Sequence, residues 1–167
     1  MDHLDKLEQI VANGMIVPES DKNNNAAKGT TQKINSETNN QLSLIDWSRH
    51  TVIVAEDEDN NFDYLESILL KTKIKVLRAK DGKECVELVK THPEVNVVLM
   101  DIRMPVLNGL EATRSIKSYR PGIIVVAQTA FAMDEDRRNC KAVGCDNFLA
   151  KPVRYRVLVD TLKEYFD

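Results

Sequence analysis

The chain has 167 residues, 43% hydrophobic and 29% charged, which is enough for one ordinary soluble domain with an extension and cramped for two. A formal net charge of -3 and a pI near 5.7 argue against a broad nucleic-acid-binding surface, which needs clustered Lys and Arg. No apolar run approaches the roughly 20 residues that span a bilayer, and the opening "MDHLDKLEQIVANG" lacks the basic start and apolar core of a secretory signal. A cytoplasmic protein is therefore expected, with no membrane insertion and no direct nucleic-acid contact.

Residues 1–48 differ from the rest. Leu4, Leu7, Ile10 and Val11 fall at helical spacing and predict a short amphipathic helix. From Glu19 to Gln41 the chain is almost wholly Asn, Lys, Ser, Thr, Gln and acid, a composition that cannot bury enough apolar surface to offset its ordering entropy. This stretch reads as a flexible linker or tail. The patch "LSLIDW" that follows carries Trp47 and is suited to dock on the edge of the next domain.

From residue 49 to 167 short apolar runs alternate with helical patterns. "TVIVA" (51–55) predicts a first buried strand, and Phe62, Leu65, Ile68 and Leu69 line one face of the helix after it, with Asn60 or Asn61 as its cap. "IKVLRA" (74–79) predicts a second strand, whose end at Arg78, Ala79 and Lys80 reads as solvated surface. The next helix starts at Asp81, with Glu84 three residues on and Cys85, Leu88 and Val89 facing inward. "VNVVLM" (95–100) is a third strand, and the turn at Asn108-Gly109 opens the helix "GLEATRSIKSY". "IIVVAQ" (123–128) is a fourth strand, leading to the thinly apolar helix "DEDRRNCKAV". "CDNFLA" (145–150) is a fifth, and a closing helix uses Val157, Leu158, Leu162 and Tyr165. Cys85, Cys140 and Cys145 read as small buried hydrophobes, not as a disulfide framework or a zinc knuckle. Five Val/Ile/Leu strands alternating with five helices predict a parallel sheet covered on both faces.

Ligands of such sheets bind beyond the carboxyl ends of the strands. The residues that end these runs are Glu56 and Asp57, then Asp101, then Gln128 and Thr129, then Lys151 before Pro152. Taken singly, each is more often a cap, a turn residue or plain surface. Together, four strands deliver them to one end of one sheet.

Three carboxylates converging there repel one another by roughly 3 kcal/mol per pair at about 5 Å and an effective dielectric near 20. A divalent cation relieves that conflict, and an all-oxygen set of this size suits Mg²⁺, which favours a phosphate co-ligand. Asp101 then reads as a carboxylate nucleophile for a phosphoryl group. Glu56 and Asp57 hold the metal, and Thr129 and Lys151 hold the oxygens of the product.

The stretches "VIVAEDEDNN", "VVLMDIRMPVLNGLEATRSIK" and "VVAQTAFAMDEDRRNCKAVGCDNFLAKP" closely resemble the receiver domain of bacterial two-component response regulators, most of all those of hybrid histidine kinases. The likeness covers about residues 50 to 166. It implies a flavodoxin-like, doubly wound α/β fold with a five-stranded parallel sheet in the order 2-1-3-4-5 and five helices. It also implies that Asp101 accepts a phosphoryl group from a histidine kinase or a histidine phosphotransfer protein.

In that family pattern Glu56, Asp57, Asp101 and the backbone carbonyl of Arg103 bind Mg²⁺. Thr129 is the switch hydroxyl and Phe148 the switch aromatic, and the Lys151-Pro152 bond is often cis. Switching acts on the face formed by the fourth helix, fifth strand and fifth helix, and a phosphorylation-dependent homodimer is a further expected partner. Arg103 and Phe131 match variable positions near the site. Such a protein is a regulator, with Mg²⁺-dependent self-phosphorylation and autodephosphorylation only, and not a dedicated enzyme.

Three rivals are weighed against this. A flavodoxin-like cofactor binder needs a Gly/Ser/Thr-rich loop after the first strand, where this chain has "EDEDNN". A haloacid-dehalogenase-type phosphatase would place its nucleophile in that same loop and leave Asp101 unexplained. A pseudo-receiver that only binds partners has no need of the full set of acids, Thr129 and Lys151.

Overall fold

The structure, a computed structural model, describes residues 45–130 and 134–166. The expected helix at Leu4–Val11, the polar linker and Phe131 lie outside the described residues.

The described elements are β1 (Thr51–Ala55), α1 (Asp59–Leu69) with a 3-10 turn at Leu70–Thr72, β2 (Lys75–Ala79), α2 (Gly82–Thr91), β3 (Val95–Asp101), α3 (Gly109–Tyr119), β4 (Ile124–Thr129), α4 (Asp134–Val143), β5 (Asn147–Ala150) and α5 (Tyr155–Phe166). All four strand pairings are parallel, in the order β2-β1-β3-β4-β5. This is the flavodoxin-like doubly wound arrangement, its strands reading as near-continuous apolar runs because both faces are covered.

Alternation along the strands divides the core in two. Val52, Val54, Val97, Leu99, Val126 and Leu149 face α1 and α5. Ile53, Ala55, Val98, Met100 and Val125 face α2 and α3. On α1 the four expected positions Phe62, Leu65, Ile68 and Leu69 are all buried, each contributing about 2 kcal/mol through apolar area removed from water. Ile45 and Trp47, the end of the "LSLIDW" patch, pack on the first core. Trp47 donates its backbone N–H to Thr72 O at 2.8 Å and meets Phe166 edge-on at 5.1 Å.

The capping signals differ in outcome. Asp81 caps α2 by accepting from Glu84 N at 2.8 Å, and Asn108 caps α3 by accepting from Glu111 N at 3.0 Å. At α1 the cap is Glu58, not Asn60 or Asn61, and its side chain accepts from no backbone N–H of the helix. The Asn61 amide is engaged instead by Glu56 and Glu58, at 3.4 and 2.9 Å.

On α5 the buried stripe is Leu158, Val159, Thr161 and Leu162, whereas Val157 is 48% exposed. Val157 sits a full 100° step from Leu158, on the side away from the sheet. Strand β5 is also shorter than expected, because Cys145 closes the end of α4 through its N–H to Cys140 O at 3.0 Å. The three cysteines are free, Cys85 and Cys140 buried and Cys145 half-buried. His50 stacks on Phe166 with ring centroids 4.3 Å apart.

Candidate functional site

Strand geometry builds the site. Asp101 ends β3 in register with Gln128, and Ala55 pairs with Met100, so Glu56 follows β1 at the level of Asp101. Glu56 keeps that level by donating its N–H to Ala79 O at 3.0 Å. Glu56 is fully buried and Asp101 is 6% exposed. One carboxylate oxygen from each of Glu56, Asp57 and Asp101 lies within 4.8 Å of the others.

Lys151 answers part of this negative charge. Its Nζ donates to Asp101 Oδ2 at 2.6 Å and to Glu56 Oε2 at 2.7 Å. Burial alone pushes this ammonium's pKa down, but the hydrogen bonds to Asp101 and Glu56 outweigh it and hold the value above that of an ordinary lysine. The remaining carboxylate oxygens are partly met by backbone. Arg103 N donates to Asp101 Oδ1 at 3.0 Å, and Glu58 N to Glu56 Oε1 at 3.2 Å.

Three carboxylates and one ammonium still leave the cluster net negative. Such a set has the all-oxygen donors, the charge and the spacing that a hard divalent cation requires, so the residues present fit Mg²⁺.

The loop after β3 is packed tightly beneath Asp101. A Cβ on Gly109 would stand 2.1 Å from Asp101 O, so only glycine lets α3 start this close to the strand end. Thr129 is 6% exposed at the end of β4, where its carbonyl accepts from Lys151 N at 2.8 Å. The Lys151-Pro152 bond is cis. Phe148 is half-buried on β5, and the Arg137 guanidinium carbon lies 4.2 Å from its ring centroid.

The structure thus brings Glu56, Asp57, Asp101 and Lys151 together, with Arg103 engaged through its N–H and Thr129 on the adjoining strand. Arg78 corrects the sequence reading. It is not solvated surface: its side chain is 20% exposed, lies across Phe62 at 4.4 Å and donates to the carbonyls of Glu56 and Asp57. Its neighbour Ala79 is fully buried. The signal that was available is Arg78's place on a strand next to the acidic loop, but an arginine at a strand end ordinarily extends into water.

Comparison with known proteins settles the family. The response regulator receiver domain family matches residues 52–163. The chain belongs to that family. Among curated receivers, the polar-differentiation response regulator DivK of Brucella ovis is 30% identical over 117 residues, covering 69% of this chain and 94% of DivK.

Among solved structures, a co-crystal of the Saccharomyces cerevisiae histidine phosphotransfer protein Ypd1 with the receiver domain of Ssk1 aligns at 31% identity and a TM-score of 0.68, covering 71% of this chain and 89% of that one. The receiver domain of the Pseudomonas aeruginosa sensor histidine kinase PA1611, with a magnesium ion coordinated in its cleft, aligns at 31% identity and a TM-score of 0.64, covering 70% and 97%. The chemotaxis protein CheY4 of Vibrio cholerae shares the fold at a TM-score of 0.65. This receiver is a module of two-component signalling with an acidic pocket at the ends of its strands. Among the described residues, no helix is long and apolar enough to cross a membrane.

Proposed function

We propose that this receiver, spanning residues 49–167 behind a polar extension at 1–48, takes a phosphoryl group from a phosphohistidine onto Asp101 as a cytoplasmic relay protein. The observation that carries the reading is the Lys151 ammonium bridging Asp101 and Glu56 at 2.6 and 2.7 Å beside a third carboxylate, Asp57. A structural salt bridge needs one acid. Three acids around one lysine keep negative charge in store for a cation.

In this reading Glu56, Asp57, Asp101 and the Arg103 carbonyl hold Mg²⁺, which when bound neutralises the phosphoryl oxygens in transfer. Asp101 supplies the electron pair that forms the O–P bond. The P–N bond to the donor imidazole breaks, and its electron pair stays on the departing nitrogen. The Lys151 ammonium moves from pairing a carboxylate to pairing the acyl phosphate, and the Thr129 hydroxyl donates to another of its oxygens. The drawn-in Thr129 and a rotation of Phe148 change the face formed by α4, β5 and α5. The phosphoryl donor is a histidine kinase or a histidine phosphotransfer protein, a class of partner that the Ssk1 receiver meets in the Ypd1 complex.

The test is incubation with acetyl phosphate in Mg²⁺ or in EDTA, read by intact mass. A Mg²⁺-dependent, hydroxylamine-labile phosphate on the wild type and none on Asp101→Asn is the expected result. A folded protein that neither binds Mg²⁺ nor takes up phosphate would instead be a partner-binding pseudo-receiver.

A further inference from the structure

Arg78 stands on the edge strand β2, in register with Val54 of β1, on the face that α1 covers. From there its side chain runs toward the carboxyl ends of the strands. Nη2 lies 3.3 Å from Glu56 O and 3.4 Å from Asp57 O, and Nε lies 3.4 Å from Glu56 O. Nη2 also pairs with Asp59 Oδ1 at 2.7 Å, and the guanidinium carbon lies 4.4 Å from the centre of the Phe62 ring. Each carbonyl contact is long, but one planar fork makes all of them while seated on a buried ring.

The choice of partners is the informative point. Glu56 and Asp57 are the two cluster acids of this loop, and Arg78 bonds their main-chain carbonyls. Its ion pair goes to Asp59, an acid outside the cluster that opens α1. The loop is therefore held by its backbone, and the cluster carboxylates are not consumed. A guanidinium does this through a fixed fork and a flat face, neither of which an ammonium offers.

We infer that Arg78 is a positioning residue for the cation site, fixing the Glu56–Asp57 backbone so that their carboxylates stay converged with Asp101. The inference rests on the metal reading above. It has a rival that predicts the opposite sign. If Arg78 acted through its charge alone, removing it would ease the approach of a second cation and Mg²⁺ would bind more tightly. Loss of a group that orients metal ligands weakens binding instead, by about 10- to 100-fold.

The experiment titrates wild type, Arg78→Met and Arg78→Lys with Mg²⁺ alone, following amide shifts of residues 56–59 and 101–103 by NMR. The Mg²⁺ dependence of acetyl-phosphate labelling is measured in parallel. Arg78→Met keeps apolar bulk over Phe62, and Arg78→Lys keeps the charge without the fork. Both variants are expected to bind Mg²⁺ at least about 10-fold more weakly, and to recover most of the labelling rate at saturating Mg²⁺. A general folding defect would leave the rate low at every Mg²⁺ concentration.

Tighter binding in Arg78→Met, or wild-type affinity in Arg78→Lys, overturns the inference in favour of a charge effect. A wild type that shows no Mg²⁺-dependent shifts fails at an earlier step, overturning the metal reading and this inference with it.

Discussion

Asp101 and Gln128 are direct partners across β3 and β4, and they are treated in opposite ways. Asp101 accepts from Lys151 and Arg103, whereas both amide atoms of the fully buried Gln128 side chain lack a hydrogen-bond partner among the described residues. An unpaired buried amide costs about 1–3 kcal/mol. Gln128→Met, close in volume and free of the polar atoms, is expected to stabilise the domain by about 1 kcal/mol or more. Urea unfolding monitored by far-UV circular dichroism measures this. A lower midpoint in the variant would contradict this account of the buried amide.

Lys151 holds two buried carboxylates apart from their mutual repulsion. Lys151→Met leaves that repulsion unanswered, so the variant is expected to melt at a lower temperature than wild type in EDTA. Added Mg²⁺ should then raise its melting temperature by more than it raises that of wild type, since a ligand stabilises in proportion to its affinity for the folded state. Differential scanning calorimetry with and without Mg²⁺ checks both halves. Equal Mg²⁺ shifts in the two proteins would contradict this account of the ammonium.

Two glycines give an internal control. A Cβ at Gly109 meets Asp101 O at 2.1 Å, whereas one at Gly122 meets nothing within 4 Å. Gly109→Ala is expected to destabilise by about 3 kcal/mol, because the obstructing atom is backbone and cannot swing aside. Gly122→Ala is expected to be neutral or to gain up to about 1 kcal/mol by restricting the unfolded chain. Parallel urea titrations decide it, and comparable losses at both sites would remove the steric argument.

The thiols carry a pH prediction. Burial, then the neighbouring Cys140, pushes Cys145 up to about 12, and burial also raises Cys140 and Cys85. Below about pH 8.5 these groups are protonated whether the chain is folded or not. Above that, the unfolded chain loses their protons while the folded chain holds them to higher pH, in the case of Cys145 to about pH 12, so stability falls as pH rises. A lower urea midpoint at pH 10 than at pH 8 is expected, with slow labelling of native thiols by a disulfide reagent at pH 8. Fast labelling of the native protein would place the thiols outside the packed interior.

Much of this was legible in the residues, for identifiable reasons. Strands buried on both faces read as unbroken Val/Ile/Leu runs, so Asp101 and Glu56 stand out as polar residues where the run stops. The lysine was legible because the rule on strand ends assigns it to the same rim. Arg78 was hidden, since nothing local says that a guanidinium will fold back over Phe62 and not extend into water. The α5 stripe was misjudged because Val157, Leu158 and Val159 are adjacent apolar residues, and only packing against the sheet selects Leu158 and Val159. Asn61 looked like a cap, but two nearby carboxylates compete for its amide.

Trp47, His50 and Phe166 meet at the amino ends of the strands, one sheet-length from the acidic rim. Five strand residues span roughly 17 Å. The polypeptide thus enters and leaves the domain at one pole, and its charged rim lies at the other. A tether, a fluorophore or a fused neighbour attached after Phe166 leaves the rim open to a docking protein. The domain can be mounted on a surface by its base and presented face-up.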